Sequence, residues 1–207
     1  MKTKNYKFRA SYSILRMWEQ QRYDDAVKML FHLSSLTSPA IEAGKAFHKE
    51  WEEHIKKTGC LPDVFGGTKL KNPIVEKKYA IDLKDSRLSW MTLVCRMDCE
   101  TKDEVIEFKT GTTSSAKYAN EQQIPMYALI REIQGRSVKK GIVYHYDQYA
   151  KKSDMSIVWI TPKVLKIAAD WIEGMASSMH NYLVENGLYE QLTKMKEDVD
   201  AQALDEL

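Results

Sequence analysis

Glu107 and Lys109 stand two apart in the stretch EVIEFKTG, residues 104–111, whose other members are largely apolar. Side chains alternate across a strand, so the two charges share one face with Val105 while Ile106 and Phe108 point to the other. Asp98 closes the preceding apolar run, RLSWMTLVCRMD, and the connection CETKD returns the chain so that Asp98 can approach Glu107 across a hairpin. Two carboxylates at close range repel unless a cation sits between them. Hard divalent ions such as Mg²⁺ prefer oxygen ligands and keep waters that phosphate oxygens can replace. An ion of that kind lowers the pKa of a coordinated water and stabilises the charge that develops on a phosphodiester under attack. Lys109, kept charged by the neighbouring carboxylates, would orient that water or support the developing charge. Taken singly, a Glu-x-Lys pair also describes a solvated strand face, and Asp98 also describes a turn residue.

The surrounding elements must place these groups. Residues 11–35 carry apolar residues at Ile14, Leu15, Trp18, Ala26, Met29, Leu30 and Leu33, which predicts one or two amphipathic helices. Ser38 as N-cap and Pro39 at the first position predict a helix that ends in lysines before Gly59. Along it Ala43, Phe47, Trp51 and Ile55 form a stripe with His48 at its edge. Strand patterns follow at 73–83, 87–100 and 104–110, joined by charged turns as antiparallel neighbours. A helix is expected over 114–134, with a kink or a fresh start at Pro125. Strands at 138–148 and 154–160 precede a long final helix, with Thr161 as its cap and Pro162 at its first position. The order α-β-β-β-α-β-β-α predicts an α/β fold, a sheet of about five strands covered by helices.

Composition sets the outer bounds. At 207 residues, 43% hydrophobic and 29% charged, the chain reads as one soluble globular domain. No apolar run approaches the ~20 residues of a membrane helix. The N-terminus MKTKNYKFRA lacks the apolar segment of a secretory signal, so a cytoplasmic, intracellular location is expected. Cys60, Cys95 and Cys99 are odd in number and scattered, which argues for reduced thiols, with Cys95 and Cys99 in the core. Residues 190–207 hold six acids and two bases, an acidic tail that leaves +6 on residues 1–189. That balance permits a nucleic-acid surface. Lys117, Arg131, Lys139, Lys140, Lys151 and Lys152 could track a phosphate backbone, with Tyr118 and Tyr144 for stacking, or could be ordinary solvent-facing side chains.

Taken in series, the motifs resemble the PD-(D/E)xK nuclease superfamily, in particular its RecB-like exonuclease branch, which includes recombination and CRISPR-adaptation nucleases. GKAFHKEWE is similar to the family's G-x-x-x-H helix through Gly44 and His48. Glu76 matches an acid often found in the first strand, CRMD ends in the metal-binding Asp98, EFKTG is the (D/E)xK signature, and QQIPMY supplies Q-x-x-x-Y through Gln123 and Tyr127. The resemblance implies a restriction-endonuclease-like core: a mixed sheet flanked by helices, with N-terminal helices at 8–58, a catalytic core at 73–160 and a C-terminal helix at 161–187. It implies that His48, Asp98, Glu107 and the backbone carbonyl of Phe108 hold Mg²⁺ or Mn²⁺. Asp98, Glu107 and Lys109 form the catalytic set, Gln123 and Tyr127 face DNA, and Glu76 is an accessory acid. The activity implied is metal-dependent hydrolysis of DNA, as an exonuclease on single strands or ends in recombination, repair or mobile-element processing. A helicase, recombinase or integrase subunit is a candidate partner, and a membrane is not. The alternative is a non-catalytic DNA-binding or assembly subunit that keeps the fold. Two departures stand out: Cys95 occupies a position where the family often has glycine, and no cysteine follows Cys99, so no iron–sulfur cluster is expected.

Overall fold

The structure, a computed structural model, describes residues 8–31, 39–83, 88–191 and 194. It is a mixed sheet of six strands flanked by helices. The strands are β1 (Phe8–Ala10), β2 (Ile74–Asp82), β3 (Met91–Glu100), β4 (Glu104–Thr110), β5 (Lys140–Asp147) and β6 (Lys152–Trp159). Their order is β1-β3-β4-β5-β6, with β2 also paired to β3. The sequence pattern anticipates five of these. The sixth, β1, is three residues long, too short for alternation to show, and pairs in parallel with Met91–Leu93. The expected turn at 84–86 lies outside the described residues.

Contacts within the chain sort into two compact units, where the sequence reading treats 1–189 as one domain. The first comprises residues 1–35, 80–94 and 171–207. In it, α1 (Tyr12–Glu19) and α2 (Tyr23–Leu30) break at Gln21, whose φ is +60°. Trp18 packs on Tyr23 and Tyr182, and its indole N–H donates to Ser178 at 3.1 Å. An aromatic body with one satisfied polar atom is a suitable core residue.

The second unit, residues 36–79 and 95–170, carries every residue singled out for chemistry. The helix α3 (Pro39–Thr58) buries Trp51 and Ile55 against Leu61, Cys99, Ile106, Phe108 and Ile142, as its four-residue stripe predicts. Ser38, its expected cap, lies outside the described residues. On the other face of β4 and β5, the expected helix of 114–134 is two helices, α4 (Ser115–Ala119) and α5 (Gln123–Ile133). Pro125 falls in the first turn of α5, where no backbone donor is needed, so it marks a start. Gly141 lets α5 approach β5: a Cβ there would lie 2.0 Å from Ile124 Cγ2. The final helix α6 (Pro162–Glu185) starts as its sequence predicts, with Thr161 Oγ1 accepting from the Val164 N–H at 3.3 Å.

Candidate active site

The antiparallel pairing of β3 and β4 joins Glu100 to Val105 and Cys99 to Ile106. The next pair in that register would be Asp98 and Glu107, the two carboxylates the alternation places on one face. There the ladder gives way to a side chain: the Phe108 N–H donates to Asp98 Oδ2 at 2.8 Å. With Oδ2 taking the place of a ladder carbonyl, Asp98 Oδ1 lies 3.4 Å from His48 Nδ1. The ring of His48 rests near Trp51, with centroids 5.8 Å apart. Gly44, one turn earlier on α3, would bring a Cβ within 3.0 Å of Thr110 Oγ1, so its small size sets how closely α3 approaches the end of β4.

Glu107 is buried, and its two oxygens differ. Oε1 accepts from Lys109 Nζ at 2.8 Å and from Gln123 Nε2 at 2.6 Å. Oε2 is buried with no hydrogen-bond partner among the described residues. Burial, then the charge of Asp98, pushes the Glu107 carboxyl up to about 7 against the opposing pull of Lys109. Burial works against the Lys109 ammonium, but the charge and hydrogen bond of Glu107 outweigh it and raise its pKa. Lys109 also donates to Gln123 Oε1 at 2.8 Å, and Nζ sits 5.5 Å from the Tyr118 ring centroid, within reach of a cation–π contact. His48 behaves similarly: burial lowers its pKa, and the Asp98 hydrogen bond and charge raise it above the usual value.

Gln123 and Tyr127, expected to face DNA, are both buried. Gln123 clamps Glu107 and Lys109 and donates to the Tyr127 hydroxyl at 2.9 Å, and Tyr127 in turn reaches the Arg96 carbonyl at 3.4 Å. Their visible work is to hold the Glu107–Lys109 pair. Burial, then Glu107, lifts the Tyr127 phenol well above its usual value, so it stays neutral. Glu76 is paired to Arg96 at 2.7 Å, and its backbone is left-handed with φ +55° in mid-strand. Burial raises its carboxyl, Arg96 opposes, and Asp98 and Glu52 add to the rise, so Glu76 belongs to the same electrostatic neighbourhood.

Sequence reasoning missed several partners. Arg131, grouped there with possible phosphate-tracking residues, is buried and bonds the Thr101 and Lys102 carbonyls at 2.8 and 2.9 Å and Glu100 at 3.3 Å. Gln123, Tyr127 and Arg131 recur every four residues, one stripe of α5, and that spacing was the available signal. Tyr144, offered for stacking on bases, packs against the apolar cluster. Lys117, Lys139, Lys151 and Lys152 are exposed. Cys95 and Cys99 are core residues, as expected.

Among the described residues, no three His, Cys, Asp or Glu side chains converge on one point at ligand distance. The donors nonetheless suit a hard divalent cation in kind. Among the described residues Glu107 Oε2 is an unspent buried acceptor, Asp98 Oδ1 lies 3.4 Å from His48 Nδ1, and that imidazole completes an oxygen-and-nitrogen set.

No family model and no curated protein matches the chain. Solved structures do. An inferred exonuclease from Eubacterium rectale aligns at TM-score 0.57 and 14% identity, over 86% of this chain and 81% of that one. The alkaline exonuclease LHK-Exo from Laribacter hongkongensis aligns at TM-score 0.52 and 11% identity, over 92% and 94%. Its complex with dAMP aligns at TM-score 0.51. At such identities the likeness establishes the fold, the mixed α/β architecture that these exonucleases share with this chain.

Proposed function

We propose that the chain is a metal-dependent nuclease that hydrolyses DNA phosphodiester bonds, of the RecB-like branch of the PD-(D/E)xK superfamily. The observation that carries this reading is Glu107: a buried carboxylate with one oxygen held by Lys109 and Gln123 and the other unpartnered, set beside Asp98. Buried carboxylate oxygens are ordinarily hydrogen-bonded, so an unpartnered one beside a second carboxylate suits a cation. Asp98, Glu107 and His48, with the Phe108 carbonyl, would hold Mg²⁺ or Mn²⁺. When bound, such an ion supplies a nucleophilic water at neutral pH and charge stabilisation at phosphorus.

The chain's own groups do the rest. Gln123 fixes the carboxylate and the ammonium relative to each other, through hydrogen bonds of 2.6 and 2.8 Å. Lys109, held charged by Glu107, presents a cation to the phosphodiester and orients the attacking water. Asp98 and His48 stand 3.4 Å apart beside this pair, and Glu76, held by Arg96 at 2.7 Å, belongs to the same electrostatic neighbourhood. DNA is favoured as substrate because the resemblance runs to DNA-processing enzymes and because LHK-Exo, a structural neighbour, is an exonuclease seen with a deoxynucleotide. Processing of single strands or ends, in recombination, repair or mobile-element turnover beside a helicase, recombinase or integrase, follows from the same resemblance. No helix among the described residues is long and apolar enough to cross a membrane.

The test uses end-labelled single- and double-stranded DNA with Mg²⁺ or Mn²⁺, beside Lys109→Ala and an EDTA control. Metal-dependent cleavage that Lys109→Ala abolishes is the expected result. If the wild-type and variant chains are equally inert while both bind DNA, the chain is instead a non-catalytic DNA-binding subunit.

A further inference from the structure

A second group of polar residues lies behind Lys109 and takes no part in the chemistry described above. His145 of β5 is buried, and each ring nitrogen faces a different oxygen: Nδ1 lies 2.6 Å from Asp154 Oδ1, and Nε2 lies 2.8 Å from the Gly111 carbonyl. A backbone carbonyl can only accept. Asp154 accepts as well in its ionised form, which is favoured by the Ser115 N–H at 3.0 Å and the Ser115 hydroxyl at 2.6 Å on its other oxygen. A neutral imidazole carries one N–H and would turn a lone pair toward one of these two acceptors. The imidazolium form is the one that satisfies both.

The two bonds join segments that converge on Lys109. Gly111 follows Lys109 by two residues and adopts φ +114°, a conformation open to glycine, which turns its carbonyl to His145 while its N–H donates to the Tyr146 carbonyl at 3.3 Å. Asp154 pins the start of α4 through Ser115, and α4 carries Tyr118, whose ring lies under the Lys109 ammonium. His145 is itself the register partner of Lys109 across β4 and β5.

We propose that His145, in its doubly protonated form, is a positioning residue that clamps the turn after β4 to β6 and thereby fixes Lys109 and Tyr118. Loss of one ring proton releases either the Gly111 carbonyl or Asp154, and the turn loosens. The charged or titratable groups facing the ring are Asp154 from β6, Lys109 from β4 and Tyr118 from α4. Asp154 is suited to the role: burial opposes its ionisation, but the Ser115 hydroxyl, His145 and the Ser115 amide outweigh this and hold its carboxyl below the usual range. The kinetic consequence rests on the nuclease reading, whereas the clamp does not.

The two are separated by measuring both in the full-length chain. Nitrogen-15 NMR reads the protonation of the His145 ring, assigned with His145→Gln, while amide exchange reads residues 109–118 in the same pH series. The expected result is that protection of 109–118 falls as the ring loses its proton, with both transitions moved to lower pH in Asp154→Asn. In metal-dependent DNA cleavage, Asp154→Asn should lose on the order of 10- to 100-fold in kcat on the alkaline side, with KM for DNA unchanged. Exchange in 109–118 that is indifferent to the ring's titration, or a neutral ring with intact protection, overturns the proposal whether or not the chain cleaves DNA. A chain that shows the coupled transitions but cleaves nothing retains the clamp and loses the nuclease reading.

Discussion

At the scale of single residues, the division of labour within Glu107 explains most of the site. One oxygen is spent on Lys109 and Gln123, and the other has no hydrogen-bond partner among the described residues. Gln123→Ala should leave DNA affinity near its wild-type value and lower kcat by on the order of 10- to 100-fold, because the carboxylate and ammonium lose their common anchor. Steady-state kinetics decide this: a rise in KM with kcat unchanged would place Gln123 on the DNA instead. Asp154 gives a pH prediction of defined sign. Its folded-state pKa is depressed, so the stability it contributes is present above the ordinary aspartate value and is lost as pH falls through the lower folded value. Asp154→Asn should therefore flatten the acid limb of thermal stability against pH, as calorimetry would show. An acid limb unchanged by the substitution would mean the Ser115 and His145 bonds contribute nothing to folding.

At the scale of elements, α5 is the part that turns a hairpin with acids into a site. Its stripe Gln123, Tyr127 and Arg131 runs from the Glu107–Lys109 pair to the β3–β4 turn. Arg131→Ala should cost about 3–5 kcal/mol, because it removes the buried cation of Glu100 together with the bonds to the Thr101 and Lys102 carbonyls and leaves only the more distant, exposed Arg136 as counter-charge among the described residues. Denaturant unfolding measures that cost, and a loss below about 1 kcal/mol would show that Tyr79, which donates to both Glu100 oxygens, and Arg136, 3.7 Å from Oε1, suffice without Arg131. Gly141→Ala tests the seating of the same helix. A Cβ that would lie 2.0 Å from Ile124 must push α5 away, at about 1–3 kcal/mol or more. Adding Ile124→Ala should recover part of the loss, and the double-mutant coupling reports how directly the two positions meet.

At the scale of the whole molecule, the second unit alone holds the candidate site, and metal binding should appear as its stabilisation. Mn²⁺ or Mg²⁺ at about 100 times Kd should stabilise the chain by about 2.7 kcal/mol, read as a concentration-dependent rise in Tm. Asp98→Asn should abolish the rise, while Lys109→Ala, which removes no proposed ligand, should keep it. An equal response in all three proteins would assign the effect to general surface binding.

The sequence by itself determined most of the elements that carry the candidate site and which of its residues share a face. Alternation placed Glu107 and Lys109 on one face, helical spacing put His48 beside the Trp51 stripe, and Pro162 opened the last helix at its expected position. These are local periodicities of the chain, and a single sequence displays them directly. Tertiary structure alone decided which partner each group meets. Nothing in the sequence says that Gln123 would close on Glu107 across sixteen residues, or that Asp98 would take the Phe108 amide where the ladder stops. Nor does it say that Arg131 would be buried on Glu100 and His145 caught between Gly111 and Asp154. β1 escaped notice because three residues carry no period, and its strand exists only through pairing with β3. Hydrogen bonds and ion pairs between distant segments depend on how the faces stack, and stacking is a property of the packed core, which no local window of residues contains.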